Sequence, residues 1–201
     1  MIKVIFFDLG GVLFTNGTKK FVAYVSNKYR LNKEHIKSVI DTGEIPDAYR
    51  EGRIGREQFW NKVQHELNLP EDIETLEREW IEGYELIEET RDIIQELSKK
   101  YKVYFLSDNV KERVEAVDKK FNFLSWFEDG VFSHDVGVRK PNPKIYRIAL
   151  QNANVKPEEA VFIDDKESAL KPAKEMGMIT ILFEEPEKLR EQLNLLGLQL
   201  I

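Results

Sequence analysis

Ala160-Val161-Phe162-Ile163-Asp164-Asp165 is an apolar run closed by two adjacent carboxylates. Unbroken apolar residues, with no alternation of polar ones, are the pattern of a strand buried on both faces. The pattern recurs at Ile2–Phe7, Lys102–Leu106, Val131–Phe132 and Met178–Phe183. Between these runs the apolar spacing becomes helical. Ile93, Ile94 and Leu97 share one helix face, as do Val114, Val117 and Phe121, and as do Ile145, Ile148 and Ala149. Asn142-Pro143 opens the last of these with a capping residue and a proline at the first helical position. After the fifth run, Leu189, Leu193 and Leu196 mark a final helix. Strands alternating with helices predict an α/β fold, a Rossmann-like parallel sheet with helices on its faces.

The spacing fails once. A βαβ unit takes roughly 30 residues, yet the first run ends at Phe7 and the second begins at Lys102. The surplus is helical in pattern throughout. Phe21, Val22, Val25 and Tyr29 form one stripe, and Ile36, Val39 and Ile40 a second, capped by Asn32 and stopped at Gly43. Phe59, Trp60, Val63 and Leu67 form a third; Ile73, Leu76, Trp80, Ile81 and Tyr84 form a fourth. The expectation is an inserted four-helix cap over residues 16–88, and an α/β core domain from 1–15 and 89–201. Phe14-Thr15-Asn16-Gly17 stands where a hinge between the two belongs.

Composition narrows the function. The chain has 201 residues, 42% apolar and 33% charged, a formal charge of −6 and no cysteine. That is enough apolar surface for a core, and the absence of cysteine removes disulfide scaffolds, thiolate zinc sites and thiol catalysis. An acidic chain without a basic run predicts no nucleic-acid or membrane partner. No apolar stretch reaches the ~20 residues of a membrane span. The opening residues turn acidic at Asp8, too soon for a secretory signal, so a cytoplasmic location is expected.

The polar residues at the run ends carry the chemistry. Asp8, Ser107 and Asp164-Asp165 each follow a buried strand, at the carboxyl rim where open parallel sheets bind ligands. Lys140, in Arg139-Lys140-Pro141, leaves the third strand on the same rim. Carboxylates brought together repel unless a cation joins them, and hard oxygen donors without His or Cys point to Mg²⁺. A divalent ion beside an ammonium and a hydroxyl makes a phosphate site.

These residues, in this order, resemble the haloacid dehalogenase superfamily over essentially the whole chain. The motifs are Asp8-Leu9-Gly10-Gly11-Val12, Leu106-Ser107-Asp108-Asn109, Lys140-Pro141 and Asp164-Asp165. The helical insert after strand one resembles the subgroup capped at that point. The stretch from Val161 to Met178 is similar to the N-terminal phosphatase domain of soluble epoxide hydrolases. The resemblance implies a Mg²⁺-dependent phosphatase of small phosphorylated metabolites. Asp8 would form an aspartyl-phosphate, with Lys140 offsetting charge as the second catalytic residue. Ser107, Asp108, Asn109 and Lys140 would bind the substrate phosphate. Asp8, the Gly10 carbonyl, Asp164 and Asp165 would hold the metal.

Three departures from the family pattern matter. Phosphatases of the superfamily typically place a second Asp, the general acid and base, where this chain has Gly10. Asp108 stands where relatives commonly have Asn, and Ala169 where several have Asn. The expectation for Asp108 is that it caps the following helix while Asn109 contacts phosphate; the alternative is that Asp108 replaces the missing acid. Gly10 also keeps two other readings open, a dehalogenase-type hydrolase attacking carbon, and a phosphate-binding regulatory protein with weak turnover. Arg50 and Arg53 are expected on a solvated turn of the cap, Trp60 and Trp80 in the cap core, and His65 on the surface. His134 leaves the third strand on the active rim.

Overall fold

The computed structural model describes residues 1–198, so the last three residues of the expected core segment 89–201 lie outside the described residues. In chain order the elements are β1 (Val4–Phe7), α1 (Gly17–Tyr29), α2 (Lys33–Ile40), α3 (Glu44–Arg50), α4 (Arg56–Leu67), α5 (Ile73–Glu82) and α6 (Glu88–Leu97). There follow β2 (Lys102–Ser107), α7 (Lys111–Phe121), β3 (Asp129–Phe132), α8 (Ser133–Val136) and α9 (Pro143–Ala153). The last four are β4 (Ala160–Asp164), α10 (Glu167–Glu175), β5 (Ile179–Leu182) and α11 (Pro186–Leu195).

The five strands pair in parallel in the order β3-β2-β1-β4-β5. Phe7 sits opposite both Phe105 and Ile163, which puts the ends of the three central strands level. The chain winds outward from β1 through β2 to β3, then crosses back to β4. The crevice between β1 and β4 is therefore the topological switch point, where open α/β sheets place their ligands.

Side chains alternate across the sheet and build two apolar layers. Ile5, Phe7, Val103, Phe105, Val161 and Ile163 face one layer with helices α6, α7 and α11. Val4, Phe6, Tyr104, Leu106 and Phe162 face the other, filled by Ile145, Tyr146 and Ala149 of α9 and Ala173 of α10. The first layer runs without a break into Phe21, Trp60 and Trp80 of the insertion. These three rings pack on one another with centroids 5.4–6.2 Å apart, so Trp60 and Trp80 are cap core as expected.

The four expected insertion helices are present as α1, α2, α4 and α5, capped by the side chains of Asn16, Asn32 and Asp72 at three of their starts. A further short helix, α3, lies where the sequence reads as breakers. Gly43 takes φ +113° as its N-cap, and Pro46 falls in its first turn, where an absent N–H breaks no helical bond. At the other end of the chain Leu196 lies past α11 and is exposed, while Leu198 is buried in its stead. Among the described residues no helix is long and apolar enough to cross a membrane.

Candidate active site

Asp8 directly follows β1, and its backbone N–H donates to the Ile163 carbonyl of β4 at 2.8 Å. This bond brings the carboxyl against Asp164, the last residue of β4. Both are enclosed, with 6% and 0% exposure. Lys140 arrives from the loop after α8 and fills the space between them. Its Nζ lies 2.9 Å from Asp8 Oδ1 and 2.6 Å from Asp164 Oδ2, and donates to the Leu106 carbonyl at 3.2 Å. Burial alone would pull the Lys140 ammonium down, but Asp164, Asp8 and Asp108 outweigh it and hold its pKa above the ordinary value. Burial pushes the Asp164 carboxyl up, against the pull of Lys140.

Three of the four expected metal ligands come together. One carboxylate oxygen from each of Asp8, Asp164 and Asp165 lies within 4.8 Å of the others. Both oxygens of Asp164 are engaged, Oδ2 by Lys140 and Oδ1 by the Lys166 N–H. Asp165 Oδ1 is different, being buried with no hydrogen-bond partner. Burial also raises the Asp165 carboxyl, with Lys166 opposing. An orphaned carboxylate oxygen beside two more carboxylates is a donor set that a hard divalent cation fits.

The loop after β1 is shaped for this approach. Leu9 O accepts from the N–H groups of Leu13 and Phe14, at 2.9 and 2.8 Å, which folds residues 9–14 into a tight turn. Gly11 within it has φ +94°, and a Cβ there would collide with the Asp165 carboxylate. Gly10 has no such constraint, since a Cβ would meet only Tyr84 Cε1, at 3.8 Å. In the expected hinge, Gly17 serves close packing rather than freedom, because the Tyr84 ring occupies the space its Cβ would need.

The remaining expected residues fare unequally. Ser107 ends β2, 1% exposed, opposite Phe132 of β3. Asp108 does not cap α7, whose start at Val110 has no side-chain cap. Its carboxylate instead accepts from the Lys140 N–H at 3.0 Å and from Arg139 Nε at 3.3 Å, tying the loop after β2 to the loop that carries Lys140. One backbone and one guanidinium donor from the Lys140 loop thus take both carboxylate oxygens. Burial raises its carboxyl, with Lys140 opposing. Asn109 Oδ1 accepts from the Val110 N–H at 3.0 Å, and both Asp108 and Asn109 line the cavity. His134 turns away, stacking on Phe132 and pairing its Nδ1 with the Asn109 carbonyl. His65 is exposed, and Ala169 is buried, its carbonyl accepting from Tyr146 Oη.

Above Asp8 lies a cavity of about 400 Å³, closed by residues of α1, α2 and α3. Arg50 is a correction to the expectation of a solvated turn. It sits on α3, buried, its guanidinium donating to Asp41 O and Oδ1 at 2.5 and 2.8 Å, and it lines the cavity. Arg53 is exposed as expected. The helix α3 grips the core at three points. Tyr49 Oη donates to Glu112 at 2.9 Å, Asp47 accepts from Arg139, and the Arg50 carbonyl accepts from Ser133 Oγ at 2.6 Å. Tyr84 and Arg113 also line the cavity and carry no sequence signal beyond lying on or beside apolar stripes.

Comparison with known proteins agrees with this geometry. The sequence profile of the haloacid dehalogenase-like hydrolases matches residues 2–177. The D-ribitol-5-phosphate phosphatase of Bacteroides thetaiotaomicron is 27% identical over 209 residues, 98% of each chain. Bifunctional epoxide hydrolase 2 of Rattus norvegicus is 42% identical over 84 residues, 41% of this chain and 14% of that protein. Several curated relatives are thus matched over less than two thirds of their own length. In structure, a haloacid dehalogenase family enzyme of Bacteroides thetaiotaomicron, in complex with magnesium and inorganic phosphate, superposes with a TM-score of 0.79 at 24% identity, over 92% of this chain and 95% of that one. With the profile spanning most of its length and the four motifs meeting at one crevice, the chain belongs to the haloacid dehalogenase-like hydrolases.

Proposed function

We propose that the protein is a Mg²⁺-dependent phosphatase of small phosphorylated metabolites. The observation that carries this is the Asp8–Lys140–Asp164 cluster with the orphaned Asp165 oxygen beside it. Asp8 is the nucleophile. Its carboxylate oxygen bonds to phosphorus as the ester P–O bond breaks, and the leaving alkoxide takes a proton from water, since Gly10 offers none; a further water then cleaves the aspartyl-phosphate to inorganic phosphate and the Asp8 carboxylate. Lys140, clamped by Asp164 and the Leu106 carbonyl, keeps its charge at the point where phosphoryl charge accumulates. Mg²⁺, held by Asp8, the Gly10 carbonyl and Asp165 with Asp164 beside them, would supply the remaining positive charge against the phosphoryl oxygens.

Ser107, Asp108 and Asn109 belong to the phosphate-binding loop in this reading, with Asp108 fixing the Lys140 loop. Residues 16–88 act as a cap that closes over a core of 1–15 and 89–201. Support for this comes from Thr18, Lys19, Lys37 and Arg50, which wall the cavity opposite Asp8. The phosphatase named among the relatives, matched end to end, supports the same reaction class. Attack on a halogenated carbon is disfavoured, because it needs no metal and leaves the Asp165 carboxylate without a role.

A Mg²⁺ titration with p-nitrophenyl phosphate, beside a halide-release assay on a 2-haloacid, tests the reading. Metal-dependent phosphate release is expected. Metal-independent halide release would replace it with the dehalogenase reading, and phosphate binding without turnover with the regulatory one.

A further inference from the structure

Arg113, on α7, is the unusual cation of this cavity. It is 4% exposed and lines the cavity wall. Its guanidinium lies 3.8 Å from the centre of the Trp80 ring and 4.9 Å from that of Tyr84. Its Nε and Nη2 are enclosed with no hydrogen-bond partner. Among the described residues no carboxylate forms an ion pair with it. Buried guanidinium groups ordinarily carry a carboxylate, because unpaired charge away from water is costly. The two rings give cation–π attraction, but they supply neither countercharge nor acceptor.

The other basic groups of the cavity show what Arg113 lacks. Arg50 is held by Asp41, Arg139 by Asp47 and Asp108, and Lys140 by Asp8 and Asp164. Lys19, Lys37 and Lys166 line the same cavity without an ion pair among the described residues, but all three are exposed and solvated by water. Among the described residues Arg113 is thus the one buried cation of the cavity with no carboxylate partner. The position is informative too. Tyr84 stands between, with Cε1 at 3.8 Å from a Cβ built on Gly10 and its ring face under Arg113. Arg113 thus belongs to the cap side of the cavity, over Trp80 and Tyr84, while Asp8 and Asp164 are engaged by Lys140.

We infer that Arg113 binds a second anionic group of the substrate, a carboxylate or a further phosphate, at the end remote from the scissile phosphate. The inference rests on the phosphatase reading of the same cavity, and it narrows the substrate class to short phosphoesters with an anionic tail. A neutral polyol tail would offer acceptors but leave the buried charge unmatched, and charge-assisted bonds to guanidinium are about twice as strong as neutral ones. A cavity of about 400 Å³ suits a molecule of that size.

The test compares matched pairs by kcat/KM: 3-phosphoglycerate with glycerol 3-phosphate, and 1,3-propanediol bisphosphate with 3-hydroxypropyl phosphate. The wild type should favour the anionic member of at least one pair by about 10- to 100-fold, and which pair shows it identifies the group. Arg113→Met should bring that ratio close to one, and Arg113→Lys should keep part of it. A general folding defect would lower both members of a pair and leave their ratio unchanged. Calorimetry with 3-phosphonopropionate and propylphosphonate, neither of which can be hydrolysed, reads the same preference without turnover. If no ester is hydrolysed yet 3-phosphonopropionate binds more tightly and Arg113→Met abolishes the difference, the inference stands and the phosphatase reading falls. If the wild type hydrolyses or binds both members of every pair equally, the inference is overturned whatever the variants do.

Discussion

Gly11 and Asp165 are fitted to one another: with Gly11 at φ +94°, the Asp165 carboxylate fills the space where a Cβ would stand. Gly11→Ala is therefore strained twice, by its backbone and by the collision. The left-handed conformation alone costs a non-glycine residue about 1–2 kcal/mol. Thermal melting should show a lower midpoint, and the Mg²⁺ concentration for half-maximal activity should rise about tenfold or more for ~1.4 kcal/mol of lost metal affinity. Unchanged Mg²⁺ dependence would separate this glycine from the metal site.

Asp8→Asn removes the attacking oxygen while keeping shape, and Lys140 retains Asp164 as a partner. The variant should fold, melt near the wild type and show no more than a trace of phosphate release. Substantial activity in a clean preparation would exclude the aspartyl-phosphate route.

Chelation separates the metal ligands from the phosphate loop. EDTA should stop turnover reversibly. Asp165→Ala should weaken Mg²⁺ binding measured by calorimetry far more than Ser107→Ala, since Asp165 Oδ1 has no protein partner to lose. Equal effects from the two substitutions would move the metal away from Asp165.

Gly10 leaves the phosphatase without the usual acid. Aryl phosphates, whose leaving groups depart unprotonated, should outrun simple alkyl phosphates by up to the ~10²–10⁴ that general acid catalysis supplies. A Cβ at Gly10 has room beside Tyr84, so Gly10→Asp should narrow the gap. Asp108→Asn tests the substitute acid: selective loss on alkyl esters would give Asp108 that role. Uniform loss is expected from its bond to the Lys140 backbone.

The pH dependence of stability follows from the buried carboxyls. In metal-free protein Asp164 is pushed up to about 7 by burial, with Lys140 opposing. A carboxyl raised by folding binds its proton more tightly in the native state, so its contribution to stability falls as pH rises from its unfolded value near 4 toward 7. Melting in chelator should show this loss, and added Mg²⁺ should stabilise more at pH 8 than at pH 5. Stabilisation by Mg²⁺ that is independent of pH would contradict the carboxylate cluster as its site.

The strands, and the acidic and basic residues at their ends, could be read from the sequence by itself. A strand covered on both faces must be apolar without interruption, so a carboxylate that ends such a run is marked as exceptional, as Asp8 and Asp164 are. The insertion showed through the failed spacing between Phe7 and Lys102, because a crossover has a characteristic length. Helix α3 escaped that reading: Gly43 and Pro46 signal a break in isolation, yet each is compatible with a helix start once neighbours hold the turn.

Only the tertiary structure decided which side chains face one another. Asp108 has the composition of a helix cap, but the Lys140 N–H from a loop 32 residues away claims it. Arg50 lies in a polar stretch and is nevertheless buried, because Asp41 and Ser133 converge on it from α2's end and from α8. Arg113 sits beside Val114 on an ordinary amphipathic helix, and its isolation between Trp80 and Tyr84 arises when the insertion folds over α7. Local pattern records how a residue meets water. Pairing across loops and across the cap depends on surfaces brought together from distant parts of the chain, and one-dimensional periodicity carries no record of that.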